Sequence, residues 1–377
     1  MRLHEEYALR RIINAYDKAT FLAGARVRPD VAESVHACLG DCFLLDELQE
    51  AAGKTIARET GAEWGCVTAC AAAAITLGVA ATMTGTDRHR ISQLPDTAGM
   101  PDRVVIQAGH CVNFGAPVTQ MIRLAGAAIV QAGTAESCRK DDLCRALEAD
   151  RVAAVFAVES YHTSRYDGIP LAELAGIAHD AGVPLLVDAA TQELRLRELV
   201  ATGADLIGCS AHKYLEAPTA GLVAGNRDLV RALLLQHHGI GRGMKVGKEG
   251  IVGVLAAFKS TPWQHVRSWR DGEDRKVGRI LTALSTIAGI RAVRDADPNA
   301  CPFDRVRIEF KGLEKDTAGN RVRELKDRLA RRKPAVMVRV YGSTPECVHL
   351  NTTELTDAYV DLLCKALREE IGRTLET

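Results

Sequence analysis

Between about residues 60 and 240 the sequence alternates short apolar runs with longer amphipathic stretches, and this alternation restricts the fold more than any other feature. Short apolar runs are typical of buried strands, whereas the stretches between them have apolar residues at helical spacing. The clearest runs are Val104–Ile106, Val152–Val158, Val183–Val187, Leu206–Cys209 and Leu222–Ala224. Strands separated by helices predict an α/β domain whose mostly parallel sheet is covered on both faces.

The segments on either side of this block have different patterns. Residues 1–60 predict an N-terminal arm followed by helices. Beyond the block come a long charged helix, the alternating runs Arg305–Phe310 and Val336–Val340, and two more helices. We therefore expect three regions: the arm and its helices, a large α/β domain at 61–255, and a small C-terminal α+β domain at 256–377.

Charge and cysteine usage exclude several classes of protein. The chain has 48 Lys+Arg and 48 Asp+Glu, so we expect no nucleic-acid partner, which usually requires a basic excess. We expect no membrane span and no signal peptide, because charged residues interrupt every apolar stretch. The 11 cysteines form no CxxC pair, which favours a reduced, cytoplasmic protein. We expect no metal site, because His36, Cys38 and Cys42, like Cys66 and Cys70, have helical rather than zinc-ligand spacing.

An acid and a lysine follow neighbouring predicted strands. Asp188 ends one buried strand, and Lys213 comes shortly after the next one, in the sequence Ser210-Ala-His-Lys213. Ligands of open α/β sheets bind at the carboxyl ends of strands. The pair suits pyridoxal phosphate, which has a basic ring nitrogen and an aldehyde. Lys213 would form the Schiff base, and Asp188 would keep the ring nitrogen protonated. The alternative is a structural ion pair.

The cofactor also needs a phosphate site and a surface for its ring. Thr68, Ala69 and Cys70 open a helix of small residues, whose amide groups suit an anion. Ser210 is a second candidate hydroxyl for the phosphate. His110, in the loop after a predicted strand, is a candidate for stacking on the ring. The alternatives are a tightly packed alanine-rich helix and a structural histidine.

This order of features resembles the fold-type-I pyridoxal-phosphate enzymes. Several stretches are similar to the selenocysteine-synthase-like branch, which includes bacterial seryl-tRNA selenium transferase and D-glucosaminate-6-phosphate ammonia lyase. The similar stretches are Arg11–Asn14, Asp46–Gln49, Thr60–Glu63, Thr68–Ala74, Lys213 with Ala217–Gly221, and Gly243–Glu249. The resemblance covers roughly residues 8 to 260. It implies a seven-stranded sheet in the large domain and a homodimer or larger homo-oligomer.

The resemblance also implies roles for individual residues. Lys213 would carry the cofactor as a Schiff base, Asp188 would bind the ring nitrogen, and the segment Thr68–Cys70 would form part of the phosphate cup. His110 would stack on the ring. His212 resembles the histidine before the lysine in class V aminotransferases, which lies near the ring.

Three basic residues are candidates for binding the substrate. By the resemblance, Lys245 and Lys248 lie in a loop that approaches the active site of the same or a neighbouring subunit, although a solvated charged turn is the alternative. Arg339 resembles the arginine that holds a substrate carboxylate. The family often has Asn-Ala-x-Gly near its start, where this chain has Asn14-Ala-Tyr-Asp-Lys18, and this departure is expected to alter the substrate pocket.

The resulting prediction is a pyridoxal-phosphate-dependent lyase that eliminates ammonia from an amino acid or amino-sugar acid and gives a 2-oxo acid. Other chemistry at Cα stays open: an aldolase, a racemase, an aminotransferase, or a cysteine-desulfurase-like enzyme with Cys347 as the loop nucleophile. A binding protein that keeps the fold without catalysis is a further alternative. Activity on tRNA is not expected, because the chain is charge-neutral and has no basic stripe.

Overall fold

The computed structural model describes residues 3–259 and 262–376. Its strands are β1 (Ile12–Ala15), β2 (Trp64–Thr68), β3 (Arg103–Gln107), β4 (Ala128–Ala132), β5 (Val152–Val158), β6 (Leu185–Asp188), β7 (Leu206–Ser210), β8 (Gly221–Gly225), β9 (Ile290–Ala296), β10 (Asp304–Phe310), β11 (Ala335–Tyr341) and β12 (Thr344–Leu350). Its helices are α1 (Leu3–Glu6), α2 (Pro29–Leu39), α3 (Leu45–Thr60), α4 (Ala71–Thr84), α5 (Arg88–Gln93), α6 (Val118–Arg123), α7 (Lys140–Leu147), α8 (Leu171–Asp180), α9 (Leu196–Val200), α10 (Arg227–Leu235), α11 (Lys248–Lys259), α12 (Pro262–Leu284), α13 (Lys315–Arg331) and α14 (Asp357–Glu376).

The larger of two compact units, Arg26–Trp263, is built on a sheet with strand order β2-β8-β7-β6-β5-β3-β4. The neighbouring pairs β4–β3, β3–β5, β5–β6 and β6–β7 are parallel. Strand β8 runs antiparallel to both of its neighbours. Within the described residues this sheet therefore has seven strands and is mostly parallel, as predicted.

Helices cover both faces of this sheet, which explains why its strands are apolar almost throughout. In β5, Val155 packs into the core shared with α2, α3, α8 and α11, whereas its neighbour Phe156 packs into the core shared with α4, α6 and α10. Successive side chains of a strand point to opposite faces, so a strand between two helical layers needs apolar residues at every position. The short strands β2 and β4 do not stand out in the sequence, because glycine, threonine and glutamine interrupt their apolar runs.

The smaller unit combines Met1–Ala25 with Gln264–Thr377. Its sheet has the order β1-β11-β12-β10-β9, and the N-terminal strand β1 pairs in parallel with β11. Helices α12, α13 and α14 supply apolar side chains to a single core with this sheet.

This division differs from the expected regions 1–60, 61–255 and 256–377. The N-terminal strand belongs to the C-terminal unit, and α2 and α3 belong to the large unit. The reason is tertiary: β1 pairs with a strand from the far end of the chain, and local sequence patterns do not reveal such a pairing.

No helix among the residues that the structure describes combines the length and the apolar character needed to cross a membrane.

Candidate active site

The predicted cofactor residues lie along one edge of the large sheet. Thr68, at the end of β2, pairs with Gly221 at the start of β8. Gly221 pairs in turn with Ser210, at the end of β7. Asp188, at the end of β6, pairs with Val158 at the end of β5. Strand ends that are far apart in the sequence are therefore neighbours at this edge, which is where open α/β sheets bind ligands.

Asp188 is a buried carboxyl with an unsatisfied oxygen. Its carboxylate accepts a hydrogen bond from the backbone N–H of Ala190. Its Oδ1 atom is buried and has no hydrogen-bond partner among the described residues. Burial raises the pKa of Asp188 to about 6, although the positive charge of Lys213 and the Ala190 bond act in the opposite direction. A buried acceptor without a donor is costly, so this carboxyl is suited to a ligand that brings a cationic N–H.

Lys213 lies in the irregular segment between β7 and β8. It is partly buried between two fully enclosed neighbours, His212 and Tyr214. Its amine acts electrostatically on both Asp188 and Cys209, so the acid and the amine are close together, as predicted. Among the described residues the Lys213 side chain makes no hydrogen bond or salt bridge, and its amine is therefore available to a ligand.

The segment before α4 forms a tight turn that fits an anion. Thr68 Oγ1 donates a hydrogen bond to the Cys70 carbonyl oxygen at 2.9 Å, and Cys70 Sγ accepts from the backbone N–H of Ala73 at 3.4 Å. A Cβ atom at Gly221 would lie 2.5 Å from Thr68 Oγ1 and 2.4 Å from the Cys70 carbonyl carbon. Only glycine leaves room for this turn, which brings Ala69 and Cys70 to the N-terminus of a 14-residue helix.

The orphaned Asp188 oxygen, the available Lys213 amine and the Thr68–Cys70 turn together fit the three polar parts of pyridoxal phosphate. The fit concerns charge and donor character: an acid for the ring nitrogen, an amine for the aldehyde and amide groups for the phosphate. Ser210 is buried beside Gly221, which puts its hydroxyl group at the same edge.

The two candidate histidines are neutral and differ in their bonds. His110 Nδ1 accepts from the backbone N–H of Val158 at 3.0 Å, next to Asp188 in the sheet. Burial lowers the pKa of His110 to about 4. His212 Nδ1 lies 3.4 Å from the carbonyl oxygen of Ala220, and burial lowers its pKa as well. Each imidazole is therefore uncharged near neutral pH and presents an aromatic face rather than a cation.

The two candidate lysines after β8 differ in their surroundings. Lys248 Nζ donates to the carbonyl oxygens of Leu39, at 3.1 Å, and of Asp41. It thereby satisfies carbonyl groups at the C-terminal end of α2, which is a structural task. Lys245 is exposed and precedes the buried Val246.

Arg339 lies in β11 of the small unit, where it already has a carboxylate partner. Its Nη1 is 2.8 Å from Asp17 Oδ2, and both side chains are only about an eighth exposed. The rings of Tyr16 and Tyr341 lie 5.3 and 4.4 Å from the guanidinium carbon. The segment Tyr16–Lys18, which departs from the family motif, thus supplies two of the residues around this arginine, Tyr16 and Asp17.

One buried acid near the site was not predicted from the sequence. Glu193, in the turn after β6, is fully buried, and its Oε1 accepts from the backbone N–H of Tyr214 at 3.1 Å. It therefore holds the segment that bears Lys213. Glu193 falls in a predicted amphipathic helix, where glutamate is ordinary, so no local signal marks it.

Cys347 does not lie in a loop, which contradicts its suggested role as a mobile nucleophile. It is part of β12 and is buried, and burial raises the pKa of its thiol to about 11. A thiol that is buried and protonated is inert. The sequence Gly342–Cys347 suggested a loop because Gly342 precedes the strand and Pro345 lies near its start. The described residues contain no cluster of His, Cys, Asp or Glu that could hold a metal ion.

Comparison with known proteins identifies the family. The family model described as L-seryl-tRNA selenium transferase, SelA, matches residues 46–261. D-glucosaminate-6-phosphate ammonia lyase of Salmonella typhimurium is 31% identical over 371 residues, which cover 97% of each chain. A solved structure of D-glucosaminate-6-phosphate ammonia-lyase has 30% identity and a TM-score of 0.86, covering 100% of this chain and 99% of that one.

A second relative has a different activity. The 5'-C-glycyluridine monooxygenase-decarboxylase of a Streptomyces species is 32% identical over 329 residues, covering 87% of this chain and 82% of its own. The fold is that of fold-type-I enzymes such as serine palmitoyltransferase and aspartate aminotransferase, which share less than 25% identity with this chain and support the fold alone. The chain therefore belongs to the SelA family, in the selenocysteine-synthase-like branch of the fold-type-I pyridoxal-phosphate enzymes.

Proposed function

We propose that this chain is a pyridoxal-phosphate-dependent ammonia lyase that acts on an amino acid or amino-sugar acid. A substrate with a 2-amino and a 3-hydroxyl group would lose water and then, on hydrolysis of the enamine, release ammonia and a 2-oxo acid. Two findings support this reaction: the relative that matches along 97% of its length is an ammonia lyase, and the sheet edge carries an acid and an amine suited to the cofactor.

The observation that carries the proposal is the pair formed by Asp188 and Lys213. Asp188 has a buried oxygen without a donor among the described residues, and Lys213 is close enough to act on its pKa. In a structural ion pair the ammonium would satisfy that oxygen. An acid and an amine that lie close but unbonded instead leave room for a molecule that takes both.

Each predicted residue has a place in this scheme. Lys213 would hold the cofactor through its amine, and Asp188 would accept a hydrogen bond from the ring nitrogen. His110 would lie against the ring as a neutral aromatic group, and His212 would support the lysine segment. The phosphate would bind the amide groups of Ala69 and Cys70 and the hydroxyl groups of two further residues, Thr68 and Ser210. When bound, the cofactor supplies an electron sink for negative charge at Cα of the substrate.

The protein groups themselves would bind and move protons. Once released by the substrate amine, Lys213 would accept the proton from Cα as general base. Arg339 would hold the carboxylate of the substrate, because guanidinium binds carboxylate with two parallel hydrogen bonds. Lys245, exposed after β8, would contribute a positive charge for a substrate phosphate. Lys248, whose amine binds carbonyl oxygens at the end of α2, would hold the segment that bears Lys245 in place.

We also propose a homodimer or larger assembly. The turn between α2 and α3 exposes four large apolar side chains close together in sequence: Leu39, Phe43, Leu44 and Leu45. Leu44 is 67% exposed. An apolar group of this kind marks a surface for another protein. The cysteines are free in the described structure, in agreement with a cytoplasmic location.

The Streptomyces relative supports a second candidate reaction, oxidative decarboxylation at the same cofactor. Its identity to this chain is 32%, against 31% for the ammonia lyase, although it covers less of the chain. Two measurements separate the candidates: the lyase releases ammonia without oxygen, whereas a monooxygenase-decarboxylase consumes oxygen and releases carbon dioxide.

The test begins with the visible absorption of the purified protein incubated with pyridoxal phosphate. We expect a band that borohydride removes, with the pyridoxyl group recovered on Lys213 by peptide mapping. Lys213→Ala should lose the band, while the control Lys245→Ala should keep it. Ammonia and 2-oxo acid are then measured, under argon, from 2-amino-3-hydroxy acids and D-glucosaminate 6-phosphate. A protein that binds no cofactor, or one that turns over only with oxygen, would contradict the proposal.

A further inference from the structure

The hydrogen bonding between β6 and β7 continues past Asp188, the last residue of β6. The backbone N–H of Ala189 donates to the carbonyl oxygen of Gly208 at 2.8 Å, and the backbone N–H of Ser210 donates to the carbonyl oxygen of Ala190 at 3.3 Å. The turn that follows the candidate acid is therefore bonded to the end of β7, just before the segment that bears the candidate lysine.

A side chain of the same turn makes the next connection between the two segments. Glu193 is fully buried, and its Oε1 accepts a hydrogen bond from the backbone N–H of Tyr214 at 3.1 Å. Tyr214 directly follows Lys213 in the sequence and is itself only 1% exposed. The turn after Asp188 thus binds the backbone on both sides of Lys213, through its own backbone on one side and through Glu193 on the other.

The segment that bears Lys213 has a backbone that needs contacts from outside. The backbone N–H of Ala217 donates to the carbonyl oxygen of Ala211 at 3.0 Å, which closes the segment into a loop. Within this loop Glu216 has a φ of 56°, in the left-handed region that residues other than glycine rarely adopt. A conformation of this kind persists only where the surrounding structure holds it, and the bond from Glu193 is one such contact.

Glu193 also lies near the two groups that are suited to the cofactor. Burial raises the pKa of the Cys209 thiol well above its ordinary value, the charges of Glu193 and Asp188 raise it further, and the charge of Lys213 lowers it. All three charged groups therefore surround the same buried thiol. A change at Glu193 is thus made within the immediate surroundings of the acid and the amine.

We propose that Glu193 is a positioning residue that fixes the amine of Lys213 at the distance from Asp188 that the cofactor requires. The inference rests on the proposed function, in which Asp188 binds the ring nitrogen and Lys213 binds the aldehyde. In that bond the amine adds to the aldehyde carbon, and one water molecule leaves as the carbon–nitrogen double bond forms. Glu193 acts through its bond to Tyr214, so it affects the contact that uses the lysine and spares the contacts of the ring nitrogen and the phosphate.

The experiment compares two ligands of the cofactor-free, full-length protein by calorimetric titration. Pyridoxal phosphate carries the aldehyde, whereas 4'-deoxypyridoxine 5'-phosphate has a methyl group in its place and cannot bond to Lys213. Glu193→Met removes the acceptor of the Tyr214 N–H and keeps nearly the same side-chain length. Pyridoxal phosphate should then bind roughly tenfold or more weakly, while the affinity for deoxypyridoxine phosphate should change by less than about twofold.

Three further variants are the controls. Glu193→Gln keeps a side-chain oxygen that can accept from Tyr214, so it should bind both ligands as the unmodified protein does. Glu198→Met removes a carboxylate of α9 that is 70% exposed and binds Arg195 at 3.1 Å, and it should also leave both affinities unchanged. In Lys213→Ala, the addition of Glu193→Met should not weaken pyridoxal phosphate further, because no bond to the lysine is left to disturb. Thermal unfolding of each variant checks that the fold is kept.

Three outcomes would overturn the inference. An equal loss of affinity for both ligands in Glu193→Met would show that Glu193 supports the whole site rather than Lys213. An equal loss in Glu193→Gln would make the charge of the carboxylate, and not its hydrogen bond, the cause. Unchanged binding of both ligands in Glu193→Met would show that the loop keeps its shape without this contact.

The proposed function is tested separately from this inference. If the unmodified protein binds neither ligand, the cofactor assignment is wrong and the role of Glu193 falls with it. If the unmodified protein binds both ligands and shows the expected difference in Glu193→Met, but releases no ammonia from any substrate, only the proposed reaction is wrong.

Discussion

At the scale of single residues, burial controls the chemistry of the site. Asp188 is enclosed at the end of β6, and the lost hydration raises its pKa to about 6 despite the nearby lysine. His110 is enclosed beside it and stays neutral, with a pKa lowered to about 4. Burial thus disfavours the charged form of both groups, and the Asp188 carboxyl is suited to a ligand that brings a cationic N–H.

The raised pKa of Asp188 predicts how stability depends on pH. The folded protein without cofactor binds this proton more tightly than the unfolded chain, in which aspartate titrates near pH ~4. The contribution to stability is therefore fully present below about pH 4 and is lost as the pH rises through 6. Over this pH range the free energy of unfolding should fall by about 3 kcal/mol less in Asp188→Asn than in the unmodified protein.

Urea unfolding of the cofactor-free protein at pH 4 and pH 7 measures this difference. Asp297, whose pKa burial also raises to about 6, contributes a similar dependence. The fall in the free energy of unfolding between pH 4 and pH 7 should therefore be smaller in Asp188→Asn, and smaller still in the double variant with Asp297→Asn. If the free energy of unfolding fell equally between pH 4 and pH 7 in the unmodified protein, in Asp188→Asn and in Asp297→Asn, neither carboxyl would have a pKa raised as its burial implies.

At the scale of secondary-structure elements, strand pairing assembles the site. The row of Thr68, Gly221 and Ser210 crosses β2, β8 and β7, and Gly221 lets the turn before α4 pack against the start of β8. The helix N-terminus can receive a phosphate only because this turn is held closely. The proposed phosphate site would thus depend on Gly221, because a side chain there would push this turn away.

Gly221→Ala should weaken binding of pyridoxal phosphate roughly tenfold or more, because its Cβ would force backbone atoms of Cys70 to move. Absorbance titration of the apoprotein with the cofactor gives the dissociation constant. Gly176→Ala is the matched control, since a Cβ there, in α8, meets nothing within 4 Å and alanine favours a helix. Equal cofactor affinity in the two variants would refute the packing argument.

The end of α2 gives a second prediction at this scale. Lys248→Met removes the ammonium that binds the carbonyl oxygens of Leu39 and Asp41, which should cost about 1 kcal/mol of stability. Lys245→Met should leave stability unchanged, within about 0.5 kcal/mol, because that side chain is exposed. Chemical denaturation of both variants makes the comparison, and the reverse order of effects would contradict the structural role of Lys248.

At the scale of the whole molecule, the exposed apolar side chains between α2 and α3 require an explanation. Phe43 and Leu44 are 44% and 67% exposed, and they lie between two other exposed leucines. Contact of such a group with water is unfavourable, and a second copy of the chain packed on it would exclude that water. The proposed assembly therefore follows from the surface rather than from the active site.

Light scattering should give a mass of about twice 40.7 kDa or a higher multiple. Leu44→Glu should shift the population toward the monomer, because it would bury a charge in the interface. Leu313→Glu, at one of the exposed leucines of the small unit, is the control and should leave the mass unchanged. A monomer at every concentration would refute the assembly.

The sequence by itself determined the class of fold, and it predicted the strand ends and the roles of two residues. The runs that became β5, β6 and β7 are apolar because helices cover both faces, so their pattern is local and legible. Asp188 and Lys213 stood out because charged residues directly after buried runs are costly without a task. The pair suggested the cofactor, the resemblance suggested the family, and comparison with known proteins confirmed the family.

Tertiary structure alone decided the features that depend on distant segments. The place of β1 beside β11, the contact of Asp17 with Arg339 and the bond from Tyr214 to Glu193 join residues that no local pattern links. The same is true of the contact that Lys248 makes with the carbonyl oxygens of Leu39 and Asp41. Periodicity reports which face of an element is buried, whereas partners across the fold are chosen by packing, which exists only once the chain has folded.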